Sequence, residues 1–142
     1  MLSGTGAKTI ASGGTLNLQT STQMAGITLN IDGMMVWASA NNIDVSQGAI
    51  INIRNGGVFE ICNDYNVYIF GGAPNPTWNN AGTIRKVSAT GVSGLGAGTL
   101  NNTGVFQAQS GTIEFTGGGA NSGNFNTSAG AATSVWASRR MG

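Results

Sequence analysis

The chain contains no histidine. That excludes a Ser-His-Asp triad, a Cys-His dyad and the common histidine-bearing zinc sites, each of which needs an imidazole as base or ligand. One cysteine, Cys62, leaves no partner for an internal disulfide. With no histidine to activate it as a nucleophile, it reads as a small buried hydrophobe at the end of the strand Glu60-Ile61-Cys62. Charge is scarce: 8% of residues are charged and the net charge is +1. Neither a nucleic acid nor an anionic membrane is therefore an expected partner. Arg85-Lys86 and Arg139-Arg140 read as isolated surface charge. No apolar run is long enough for a signal peptide or a membrane span, so no membrane insertion is expected. If the parent protein is exported, its signal lies outside this chain. The two prolines, Pro74 and Pro76, share one loop, and no stretch carries a helical hydrophobic period.

What the chain has is glycine, asparagine and short apolar runs. Its 24 glycines accompany 40% hydrophobic residues, and Ile, Val, Leu and Phe recur in strand-like runs, which argues for a packed core rather than disorder. In the window Thr99 to Thr127, Val105-Phe106-Gln107-Ala108 and Thr112-Ile113-Glu114-Phe115 are strands separated by Gly, Asn and Ser turns. One unit recurs along the chain, a polar Asn-bearing run closed by Gly and followed by a hydrophobic strand. Its closing glycines are Gly33, Gly57, Gly82, Gly104 and Gly123, spaced 24, 25, 22 and 19 residues. A period of about 20–25 residues marks a solenoid whose coils bury their faces only by stacking. Ile27 to Ile31 and Ala49 to Ile53 read as strands and Asn101-Asn102-Thr103-Gly104 as a turn, with Gly and Asn chosen for left-handed backbone angles and for Asn ladders between coils.

These landmarks predict an all-β fold, a right-handed parallel β-helix (β-solenoid) of about six coils. Residues 1–134 form one domain, and residues 135–142 are an irregular tail or cap, because the sequence from Ala132 onward stops alternating. Thr20 to Ala25 reads as a polar connection and Ser88 to Gly98 as a loop. Counting from each landmark glycine places Met35, Phe59, Ile84 and Phe106 in one interior column and Val36, Glu60, Arg85 and Gln107 outside. Glu60 then lies beside Arg85, while Lys86 falls at an inward position where the strand is expected to end or bulge.

The segments Trp78-Asn79-Asn80-Ala81-Gly82-Thr83-Ile84, Leu100 to Ile113 and Gly117-Gly118-Gly119 resemble repeats of large bacterial surface and secreted proteins of the adhesin and autotransporter-passenger type. The resemblance covers roughly residues 9 to 131. It implies a fragment of a longer protein, extracellular or at the cell surface, and supplies no catalytic motif.

Three functions fit. The first is a rigid stalk or adhesion scaffold, which low charge and tandem coils favour. The second is glycan binding, for which Tyr65, Tyr68 and Trp78 are the candidate ligand-binding rings, with Trp37 and Trp136 as further aromatics. The third is histidine-independent glycoside hydrolysis, since two carboxyl groups about 5–10 Å apart suffice. Glu60 and Asp64 are the candidate catalytic pair among Asp32, Asp44, Glu60, Asp64 and Glu114. No cofactor is called for. Asp64 with neighbouring carbonyls could hold calcium, but the nonapeptide calcium repeat is absent. The expected partners are a second copy of the chain, as a homo-oligomer, and a glycan.

Overall fold

A computed structural model describes residues 1–71, 74–96 and 98–135. Every element in it is a strand. The first coil runs through β1 (Leu2–Ser3), β2 (Ala7–Ile10) and β3 (Thr15–Leu18), and the second through β4 (Thr22–Ala25), β5 (Thr28–Ile31) and β6 (Met34–Trp37). The third contains β7 (Ile43–Ser46), β8 (Ile50–Ile53) and β9 (Val58–Ile61), and the fourth β10 (Val67–Ile69), β11 (Thr77–Asn80) and β12 (Thr83–Lys86). The fifth holds β13 (Val92–Gly94), β14 (Thr99–Asn102) and β15 (Val105–Ala108). Beyond it come β16 (Thr112–Phe115), β17 (Asn124–Thr127) and β18 (Ala132–Val135).

Every pairing is parallel and joins a strand to its counterpart one coil away, giving the sheets β1-β4-β7-β10, β2-β5-β8-β11-β14, β3-β6-β9-β12-β15-β17 and β13-β16-β18. The first and last of these occupy the same face, joined by the isolated bridge between Asn66 and Gly94. The fold is thus a three-faced parallel β-solenoid of about six turns. The wall is built from four-residue strands because each face is short and the chain must turn at every corner.

The interior column follows the predicted register. Met35 pairs with Phe59, Phe59 with Ile84 and Ile84 with Phe106, and all four are fully buried. The column continues to Phe125, whose ring lies 5.6 Å from that of Phe106. A second aromatic stack crosses the interior, Trp37 on Phe59 at 6.3 Å and Phe59 on Trp78 at 5.8 Å. Offset ring pairs at such separations add cohesion beyond area burial.

Three expectations are corrected. The landmark glycines are not there for left-handed angles, since none of the five has a positive φ. They stack along the corner between the second and third faces. A Cβ on Gly57 would overlap the carbonyl oxygen of Ile31, and one on Gly82 or Gly104 the carbonyl of the landmark glycine one coil before. The same carbonyls carry the ladder around the corner: Val58 N donates to Gly33 O at 2.9 Å, and Thr83 N to Gly57 O at 3.0 Å.

Asn101 and Asn102 belong to the strand Thr99–Asn102 rather than to a turn, Thr22–Ala25 is a strand rather than a polar connection, and Val92–Gly94 is a strand inside the expected loop. Lys86 is the last residue of β12, as expected, but there is no bulge: it pairs in register with Ile61 and Ala108 and is fully buried rather than an isolated surface charge. The last strand, β18, runs from Ala132 to Val135 after the turn at 128–131, and its burial does not alternate. Trp136, Arg139 and Arg140, with the rest of the expected tail, lie outside the described residues.

Candidate functional site

The charged side chains are used mainly to join coils. Asp32 lies 3.5 Å from Arg54, Glu60 2.6 Å from Arg85 and Asp64 2.6 Å from Lys86, each pair linking neighbouring coils. The predicted Glu60–Arg85 contact is therefore present, with both Nε and Nη2 of Arg85 donating to Glu60 Oε2.

Asp64 sits in a turn held by Asn63. The Asn63 amide donates to the carbonyls of Trp37 and Ser39 and its Oδ1 accepts from Tyr65 N at 3.0 Å. An Asx turn of this kind fixes the two residues that follow it. From below, the buried Lys86 ammonium reaches Asn63 O at 2.5 Å, Asp64 Oδ1 at 2.6 Å and Ser93 Oγ at 2.7 Å. These three acceptors fill the capacity of a lysine ammonium, which is why it is tolerated inside. The Lys86 hydrogen bond holds the Asp64 carboxyl below its ordinary range, against the opposing cost of burial and with a lesser contribution from Gly91 N–H. Both candidate catalytic carboxylates, Glu60 and Asp64, are thus engaged by cations, and Asp64 is suited to staying ionised rather than to donating a proton.

Cys62 is half-exposed rather than buried. Burial and the neighbouring Glu60 carboxylate raise its thiol above the usual value, which favours the unreactive protonated form.

The aromatic candidates separate. Trp78 is fully buried and stacked on Phe59, so its ring has no surface to offer a ligand. Tyr65 and Tyr68 are 38% and 53% exposed, and Phe70, two residues beyond Tyr68, is 59% exposed. Tyr68 lines a groove of about 170 Å³ together with Asn66, Val67, Gly94, Gly96, Glu114 and Thr116.

The groove exists because the sheet opens between β10 and β13. There Gly94 N donates to the side-chain Oδ1 of Asn66 at 3.0 Å, where a regular ladder would use a main-chain carbonyl. One isolated bridge spans this gap among the described residues. Two glycines form the floor. A Cβ on Gly94 would lie 2.7 Å from Asn66 Oδ1, and Gly96, at φ +75°, would bring one within 2.8 Å of Val67 O. Glu114, Asn66 and Thr116 escaped the sequence reading because Gly94-Leu95-Gly96 lay in an apparent loop. The signal available was a strand-phase Gly-X-Gly one coil after an aromatic strand.

On the second face, an outward column of asparagines runs along the solenoid. Asn52 Nδ2 donates to Asn30 Oδ1, Asn79 Nδ2 to Asn52 Oδ1 and Asn101 Nδ2 to Asn79 Oδ1, each at 2.9 Å. Each amide thus bonds to the coils before and after it. Among the described residues, no group of three or more Cys, Asp or Glu converges as a metal site, and no helix is long and apolar enough to cross a membrane.

Comparison with protein-family models, with curated proteins and with solved structures gives no match.

Proposed function

We propose that the chain is a structural segment of a bacterial surface or secreted protein, a β-solenoid stalk or adhesion scaffold that works outside the cell or at its surface. The observation that carries this reading is the direction of its polar contacts. Three ion pairs and the asparagine ladder all run along the solenoid axis, from coil to coil. A wall braced this way resists bending and offers a protease few loose segments. The residues that carry the resemblance to adhesin and autotransporter-passenger repeats support the placement.

The test is mechanical. Residues 1–135 are placed between two fluorescent reporters and their separation distribution is measured. A rigid rod of about six coils at about 4.8 Å, roughly 29 Å long, gives one narrow distribution. A broad distribution of the flexible-linker kind would overturn the reading.

A second reading, glycan binding or glycoside hydrolysis, is favoured by the groove beside Tyr68. Its catalytic form, with Glu60 and Asp64, is tested by a panel of glycosidase substrates against Glu60→Gln and Asp64→Asn. Absence of turnover by the unaltered protein, or turnover in both variants equal to that of the unaltered protein, removes that form.

A further inference from the structure

We infer that the groove between the fourth and fifth coils is a binding subsite for one ring of a neutral glycan. Its chemistry comes from Tyr68, Glu114, Asn66 and Thr116.

The distribution of aromatic residues comes first. Phe59, Phe106, Phe115, Trp37 and Trp78 are fully buried; of the exposed rings, Tyr65, Tyr68 and Phe70 lie within six residues of one another, and Phe125 stands apart at the end of the interior column. Tyr68 belongs to β10, whose pairing with β7 aligns it with Asp44. A ring held on a strand loses little freedom when it binds, and its apolar face with a polar tip suits a partner that is apolar on one face and hydroxylated at its edge. A pyranose ring has this character.

The second observation concerns charge. Asp32, Glu60 and Asp64 are each paired with a cation. Asp44, beside Tyr68 on β7, and Glu114, half-buried on β16, have no cation within ion-pair distance among the described residues, and of these two Glu114 lines the groove. A carboxylate that accepts only is matched to hydroxyl donors, and the Asn66 amide and Thr116 hydroxyl add a mixed donor and acceptor set. No cation lines the groove, so an acidic sugar or a phosphate would meet repulsion from Glu114 with nothing to offset it.

The third is shape. The Asn66 side chain spaces the two coils, and Gly94 and Gly96 bring the floor down to bare backbone. At about 170 Å³ the groove is smaller than the enclosed pockets of about 300–1,000 Å³ that take whole small molecules. It therefore suits one ring of a chain that continues across the surface, with Phe70 or Tyr65 beside the next ring. Binding through one such subsite is expected to be weak. The inference stands apart from the scaffold reading, which a stalk without any ligand would satisfy.

The experiment is a titration of isotope-labelled protein, followed by amide NMR, with cellohexaose, mannohexaose and N-acetylchitohexaose as neutral probes and an oligogalacturonate as the acidic one. At least one neutral probe is expected to shift the amides of Gly94, Gly96 and Thr116 saturably at concentrations up to roughly 10 mM. Tyr68→Ala should weaken that binding about tenfold or more, and Glu114→Gln by a smaller factor. Both side chains are partly exposed, so amides far from the groove should keep their positions and report an intact fold. The inference is overturned if no neutral probe shifts these amides, if the shifts lie elsewhere, if only the acidic probe binds, or if Tyr68→Ala leaves the affinity unchanged.

Discussion

Lys86 Nζ lies 2.6 Å from Asp64 Oδ1, with the ammonium fully buried and the carboxylate side chain 40% exposed. The pair is unequal: water can reach one partner and not the other. Asp64→Ala leaves a buried ammonium short of one acceptor and is expected to cost about 1–3 kcal/mol. Lys86→Met should cost less, because a side chain of similar length fills the same space. The Asn63 carbonyl then keeps its bond from Ser93 Oγ, and the abandoned carboxylate is solvated. The pH dependence follows from the depressed Asp64 carboxyl. Its contribution is fully present above the unfolded-state value of 3.8 and is lost as pH falls below that through the folded-state value. Urea unfolding at pH 7, 5 and 3 should show a fall in stability between pH 5 and 3 that is smaller in Asp64→Asn. Equal falls in the two proteins would show that the pair contributes nothing.

Phe106 stacks between Ile84 and Phe125 in register and has no exposed surface. Phe106→Ala should destabilise by about 3–5 kcal/mol in chemical unfolding. A loss below about 1 kcal/mol belongs to a surface position and would contradict the interior column.

The two asparagine columns should respond in opposite ways. Outside, Asn52 both donates to Asn30 and accepts from Asn79, so Asn52→Ala breaks two bonds and should cost about 1–2 kcal/mol. Inside, Asn80 Nδ2 donates to Asn102 Oδ1 at 2.8 Å and also to Val105 O, yet Asn80 Oδ1 and Asn102 Nδ2 are buried with no partner among the described residues. Ile53 occupies the same column one coil earlier. Replacing both partners by Leu removes the unsatisfied atoms together with the bond, and should be neutral or stabilising. Thermal unfolding of the two variants is the comparison; a double Leu variant less stable than Asn52→Ala would refute it.

What the sequence revealed follows from the range of the interactions involved. The repeat, the column Met35-Phe59-Ile84-Phe106 and the Glu60–Arg85 pair depend on a period and a phase, both visible in one dimension. Strands of the first and second faces were hidden because they are Gly-rich, as Val92–Gly94, or Asn-rich, as Thr99–Asn102. Taken alone such runs have the propensity of turns. Only the neighbouring coil, about 22 residues away, supplies the amide ladder that makes them strands. Lys86 was misplaced for the same reason, because two of its acceptors, Asn63 O and Asp64 Oδ1, lie 23 and 22 residues back along the chain. In the candidate site, Tyr65 and Tyr68 were identifiable as rings in a turn-rich segment. Trp78 was not distinguishable from them until its inward phase on β11 was known, and Glu114 joined them only through the stacking of β16 above β13.

The last prediction is association. Met34 and Val58 are register partners on the outside of the third face, with Val36 beside them, and all three are only half-buried. Thr15, Thr83 and Val105 extend the same outward column. This is a sparsely charged strip on a stiff surface, and such strips are commonly contact sites. A stable interface needs about 800 Å² from each partner, more than three side chains provide, so the contact must take in most of that face. Side packing about a two-fold axis closes on itself, whereas stacking of the free ends would be head-to-tail and open to growth. We therefore expect a closed homo-oligomer, with a light-scattering mass at a small multiple of 14.3 kDa. Met34→Lys with Val58→Lys should return it to the monomer without loss of fold, because both positions point outward. A monodisperse species of 14.3 kDa from the unaltered chain would end the association claim. Filaments that persist in the double Lys variant would transfer it from the side face to the ends.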